Sequence, residues 1–110
     1  MKINIFGHKM KITDDVKNIV EKRFVNKIDK FLKNLYEDEK RGHLKVEQGK
    51  KRGYLVNFDM WLPGKEHIYA KQLDYDLQTA IVKLRKEVQR QINNYMGRVQ
   101  VKYNYANNHR

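Results

Sequence analysis

Tyr54-Leu55-Val56-Asn57-Phe58-Asp59-Met60-Trp61-Leu62-Pro63-Gly64 is the stretch that decides the fold. Tyr54, Val56, Phe58, Met60 and Leu62 fall on alternate positions and so share one apolar face of a long strand. Pro63-Gly64 turns the chain at its end. Downstream, Ile68 and Ala70 alternate with His67, Tyr69 and Lys71, which predicts a fourth strand paired with the third as a hairpin. Upstream, Gly49-Lys50-Lys51-Arg52-Gly53 reads as a second hairpin tip, preceded by Leu44 and Val46 alternating with Lys45 and Glu47. Two hairpins in series make one antiparallel meander.

Helices flank the meander. Thr13, followed by Asp14 and Asp15, supplies a capping hydroxyl and two carboxylates for the positive end of a helix. Val16, Ile19, Val20, Phe24, Ile28, Phe31, Leu32 and Leu35 then place one apolar stripe along about six turns. After the meander, Asp74 or Asp76 caps a second helix with the stripe Leu77, Ala80, Ile81, Leu84, Val88, Ile92 and Tyr95 or Met96, and Gly97 is expected to end it. At the N-terminus, Ile3 and Ile5 alternate with Lys2 and Asn4 in a short strand. The expected fold is α+β, in the order β-α-β-β-β-α: a four-stranded sheet with both helices on one face, spanning residues 1–98 as one domain. Residues 99–110 are expected to be a polar C-terminal tail. The sheet's other face should lie open, carrying Leu55, Trp61, Tyr69 and Lys71.

The chain has 110 residues, enough for one core of two layers. Its 24 Lys and Arg face 13 Asp and Glu, a net charge of +11, which makes polyanions the natural partners. Cysteine is absent, ruling out disulfides and Cys-based zinc sites. The first residues lack a signal peptide's apolar run, and no stretch approaches the ~20 apolar residues of a membrane span. A cytoplasmic protein with no membrane partner is expected.

Charge bears on function where it is organised. Lys83, Lys86 and Arg90 lie at i, i+3 and i+7, one outward line of cations spread over ~10 Å, the reach of two successive phosphates. Arg23, Lys27 and Lys30 form a second row on the first helix, diluted by the nearby Glu21 and Asp29. If the helices lie side by side, the two rows flank a groove suited to an RNA backbone. Lys50-Lys51-Arg52 reads either as a phosphate grip or as a solubilising loop, and Trp61 with Tyr69 either as a stacking platform or as part of a minor cluster. His8, His43, His67 and His109 stand singly, and Asp74-x-Asp76 reads as a cap, so no metal site is expected. No nucleotide-binding or nucleophile motif occurs, and no general acid or base has a partner, so neither an enzyme nor a cofactor or small-molecule substrate is expected.

Several local strings resemble the ribosome hibernation promoting factor and ribosome-associated inhibitor family: Asn4-Ile5 with Gly7, Ile12-Thr13, Arg23-Phe24 and Lys27-Ile28, Leu44 to Glu47, Ile68 with Ala70, and above all Asp76-Leu77, Ala80-Ile81 and Arg90-Gln91-Ile92. The departures are Gln78, where the family prefers tyrosine, and Val82, where it prefers an acidic residue or asparagine. The resemblance implies a short-form domain, monomeric when free, that lodges in the decoding channel of the small ribosomal subunit. There it would contact 16S rRNA through Lys83, Lys86 and Arg90 with Arg23, Lys27 and Lys30 beside them, and block mRNA and tRNA. The alternatives are a generic double-stranded RNA-binding module and a protein-interaction domain using the open face.

Overall fold

A computed structural model describes residues 1–108, with side-chain surroundings through Arg98. Four strands, β1 (Lys2–His8), β2 (Arg41–Gln48), β3 (Tyr54–Leu62) and β4 (Glu66–Asp74), form one sheet in that spatial order. β2, β3 and β4 are the expected antiparallel meander, with Phe58 opposite Leu44 on one side and Ala70 on the other. β1 runs parallel to β2, with Ile5 opposite Leu44. A parallel pair cannot be joined by a tight turn, and the first helix makes the crossover.

Thr13 caps that helix as expected, its hydroxyl accepting from Val16 N at 3.3 Å. The helix is not uniform. An α-helical start (Asp14–Val20) passes into a π turn (Glu21–Val25), an α turn (Asn26–Asp29) and a 3-10 turn (Lys30–Leu32). The cause lies in the buried residues Val16, Val20, Phe24, Ile28 and Leu32, each four after the last. At about 100° per residue, four such steps would carry the stripe roughly 160° around a regular helix. The i→i+5 turn winds more slowly and recovers part of that drift, burying Val25 beside Phe24. Leu35 is half-buried beyond the helix end.

The second helix runs Leu77–Asn108, so Gly97 does not end it. Glycine is disfavoured inside a helix but not forbidden, and no proline follows. The expectation of a polar tail over 99–110 rests on side chains outside the described residues; the backbone through Asn108 is helical.

The core lies between the sheet and the two helices. Phe24 packs on Phe58 with ring centroids 4.7 Å apart, tilted by 59°. Leu84, Val88 and Ile92 close the other half with Met60, Ile68 and Ala70. Gly42 is buried under Phe58, and a Cβ there would come within 2.5 Å of the ring. At Gly97 a Cβ would meet nothing within 4 Å.

These two glycines give opposite expectations. Gly97→Ala should stabilise the protein by about 0.5–1 kcal/mol in urea denaturation, as in any helix interior. Gly42→Ala should cost about 1–3 kcal/mol through overpacking. Destabilisation by Gly97→Ala would mean that the helix stops there after all.

Candidate nucleic-acid interface

The start of the second helix uses both aspartates. Asp76 Oδ2 accepts from Thr79 N at 2.9 Å and Thr79 Oγ1 at 2.7 Å, while Asp74 Oδ1 accepts from Asp76 N at 3.1 Å. Asp74 Oδ2 takes Lys83 Nζ at 2.7 Å. Lys83 holds the Asp74 carboxyl below the usual carboxylate range, and Thr79 does the same for Asp76. The pair is a cap and an anchor, and among the described residues no group of three metal-ligating side chains exists.

Lys83, Lys86 and Arg90 are all exposed on the helix's outer side, as the spacing predicts. Their partners differ. Arg90 grips Glu87 with two bonds, Nη2 to Oε1 at 2.6 Å and Nε to Oε2 at 3.1 Å. Glu87 is lowered to about 2 by Arg90 first and Gln91 second. Lys86 alone of the three has no carboxylate partner among the described residues.

Gln91 does something the hydrophobic pattern cannot reveal. β4 is an edge strand, and at Tyr69 the Gln91 amide replaces a missing neighbour: Nε2 donates to Tyr69 O at 2.7 Å and Oε1 accepts from Tyr69 N at 3.1 Å. Its Nε2 also reaches Glu87 Oε1 at 3.1 Å, joining Arg90, Glu87, Gln91 and the sheet edge into one chain of bonds. The only sequence signal was the Arg90-Gln91-Ile92 string.

On the first helix, Arg23, Lys27 and Lys30 are exposed, and none is in an ion pair among the described residues. Asp29 does not dilute this row as expected. It turns to Lys40, 3.3 Å away, and to the Met1 ammonium, 3.5 Å away. Lys40 is buried, which works against its charge, yet Glu37 and Asp29 hold its proton more firmly than usual.

The helices lie side by side and meet where Arg23 faces Gln78. With its amide oxygen turned inward, Gln78 accepts from Arg23 Nη2 and Nε at 3.1 Å each. The departure from the family tyrosine is thus a receptor for Arg23. A shallow groove here is lined by Asp15, Lys22, Arg23 and Gln78. Arg23 lies in it, whereas Lys83 is bonded to Asp74 at the end of β4 and Arg90 to Glu87 on its own helix, and neither lines this groove. Sequence reasoning missed Lys22 at this groove and the half-buried Arg85, which donates to Gln89 at 3.2 Å. Arg85 flanks the apolar stripe, where long side chains cover core while keeping their charge in water.

Lys50, Lys51 and Arg52 are exposed at the β2–β3 tip, which Gly49 N closes by donating to Gly53 O at 2.9 Å. The open sheet face carries Trp61, Tyr69, Leu55 and Lys71 as expected. Trp61 joins no buried cluster: it stacks on His67 at 4.4 Å and stays 60% exposed.

One family model matches the sequence, and two solved structures share the fold. The sequence profile described as Sigma 54 modulation protein / S30EA ribosomal protein matches residues 3–100. A ribosomal subunit interface protein from Coxiella burnetii is similar in structure, with a TM-score of 0.67 and 21% identity over 88% of this chain and 99% of that one. The N-terminal domain of Protein Y from Thermus thermophilus has the same TM-score and identity over 86% and 99%. No curated protein sequence matches significantly.

Removing the edge contact with Gln91→Ala should cost about 1–2 kcal/mol in chemical denaturation. The Glu87 carboxyl, depressed from 4.5 to about 2, stabilises the fold above pH 4.5 and loses that effect as pH falls toward 2. Glu87→Gln should therefore be less stable at neutral pH and show a smaller stability loss between pH 4.5 and 2. Equal acid sensitivity in variant and parent would contradict the assignment.

Proposed function

Because this chain belongs to the Sigma 54 modulation protein / S30EA ribosomal protein family, a ribosome-associated family and not an enzyme family, we propose that it silences translation by binding the small ribosomal subunit. It would act in the cytoplasm, in stationary phase or stress, by occupying the decoding channel, contacting 16S rRNA and excluding mRNA and tRNA. The observation that carries this reading is the exposed helical face. Arg23, Lys27, Lys30 and Lys86 stand on adjacent helices without carboxylate partners among the described residues, so their charge is available to phosphate. Lys83 and Arg90 add to it by exchange, since exposed ion pairs contribute little and yield to a dense row of phosphates. Such a surface positions by backbone contact, as suits folded RNA of fixed shape.

A generic double-stranded RNA-binding module is the weaker alternative, because that reading has no place for β1 and its parallel pairing with β2.

Sucrose-gradient sedimentation with purified subunits tests the proposal. The protein should travel with the small subunit and dissociate steeply between about 50 and 200 mM salt, as binding through several phosphates requires. Combining Lys83→Glu, Lys86→Glu and Arg90→Glu should abolish co-sedimentation, and Lys86→Glu alone should weaken it more than Lys83→Glu. Unchanged sedimentation of the triple variant, or equal affinity for any plain RNA duplex, would overturn the reading.

A further inference from the structure

On the face opposite the helices, we infer a second RNA site: a platform on which unpaired bases stack, taking single-stranded RNA. Trp61 and His67 are cross-strand partners already stacked face to face, with centroids 4.4 Å apart and planes 19° from parallel. Tyr69, two residues along β4, lies 6.3 Å from His67 and is 49% exposed. Three neighbouring rings on an open sheet surface have no core to fill. Exposed aromatic rings on a sheet are the platforms on which bases stack irrespective of sequence.

The charge of the same face selects the occupant. Lys45 and Lys71 flank Asn57 in one cross-strand row beside the rings. The carboxylates on this face are already engaged by imidazoles, Asp59 with His67 at 3.4 Å and Glu47 with His8 at 2.8 Å. Past Lys71 the face ends in a hollow of about 520 Å³ lined by Lys9, Lys50, Lys71 and Glu47 together with Leu55 and Leu73. At the Trp61 end the neighbours are mixed in charge, Asp38 and Glu39 beside Arg41. With bases on Trp61, His67 and Tyr69, the phosphates run past Lys45 and Lys71 toward Lys9 and Lys50. His67 to Lys71 covers about 13 Å of strand, room for a short run of nucleotides. An apolar or acidic protein segment would satisfy the rings or the lysines, whereas a single strand of RNA satisfies both.

This site is independent of the helical face. Trp61 is the only tryptophan, so its fluorescence reports on the platform alone. Titrating the full chain with a short oligoadenylate should quench that emission. Tyr69→Ala should weaken binding about tenfold, the range of one lost stacking contact. Combining Lys45→Glu with Lys71→Glu should remove the quench at ordinary salt, and Lys86→Glu should leave it in place. Circular dichroism melts of these surface variants should match the parent. Absence of a quench by oligoadenylate, an equal response to inorganic polyphosphate, or affinity unchanged in Tyr69→Ala would overturn the inference and leave a protein partner as the reading of this face. No quench in the parent protein while it still binds the small subunit would count against the platform alone.

Discussion

Phe58 stands at the middle of the sheet with Gly42 beneath its ring and Phe24 packed onto it, and this contact sets the geometry of both layers. The glycine leaves room for the ring over β2, and Phe24 of the first helix packs against that ring. Once Phe24 is seated, the rotation of that helix is determined, and Arg23 and Lys27 on either side of it are held outward. The π turn falls at Phe24 because the helix must bury residues at strict fours on one side. A packing requirement in the core thus decides which cations reach solvent as a group.

The second helix meets three demands at once, and its residues divide accordingly. Leu84, Val88 and Ile92 face the sheet, Gln91 closes the edge of β4, and Lys86 and Arg90 face outward. Glu87 links two of these roles, since it orients Arg90 and steadies Gln91. The net charge of +11 overstates what the face offers, because part of it is held by Asp74 and Glu87, while Arg23, Lys27, Lys30 and Lys86 have no carboxylate partner among the described residues.

Element identity was legible because each strand and helix buries one face only, so the periods of two and near four stand out from Ile3 to Met96. The order β-α-β-β-β-α, the Thr13 cap and the open face with Trp61 all follow from that pattern. What depends on a single side chain meeting a distant backbone was not legible. Gln91 looks like any polar residue beside an apolar stripe, and Asp29 looks like a charge in the basic row until Lys40 is seen to claim it. Gly97 misled because glycine after a stripe reads the same whether the helix stops or continues; the conformation, not the residue type, decides. The two cationic rows were legible, but their relative orientation was not, since it depends on how Arg23 meets Gln78.

β1 is joined to the rest on different terms from the other strands. Its residue Asn4 lies 39 positions from its neighbour His43, it has a partner on one side only, and none of its side chains is fully buried. Hairpin strands are tethered by short turns, so a strand that lets go is held at high local concentration; β1 has instead a long crossover and no such tether. Detaching it breaks one ladder and withdraws only the partly buried Ile3 and Ile5 from the core's margin. Local opening is therefore cheapest at this seam, and it uncovers the edge of β2, a row of free N–H and C=O groups that any extended segment can fill.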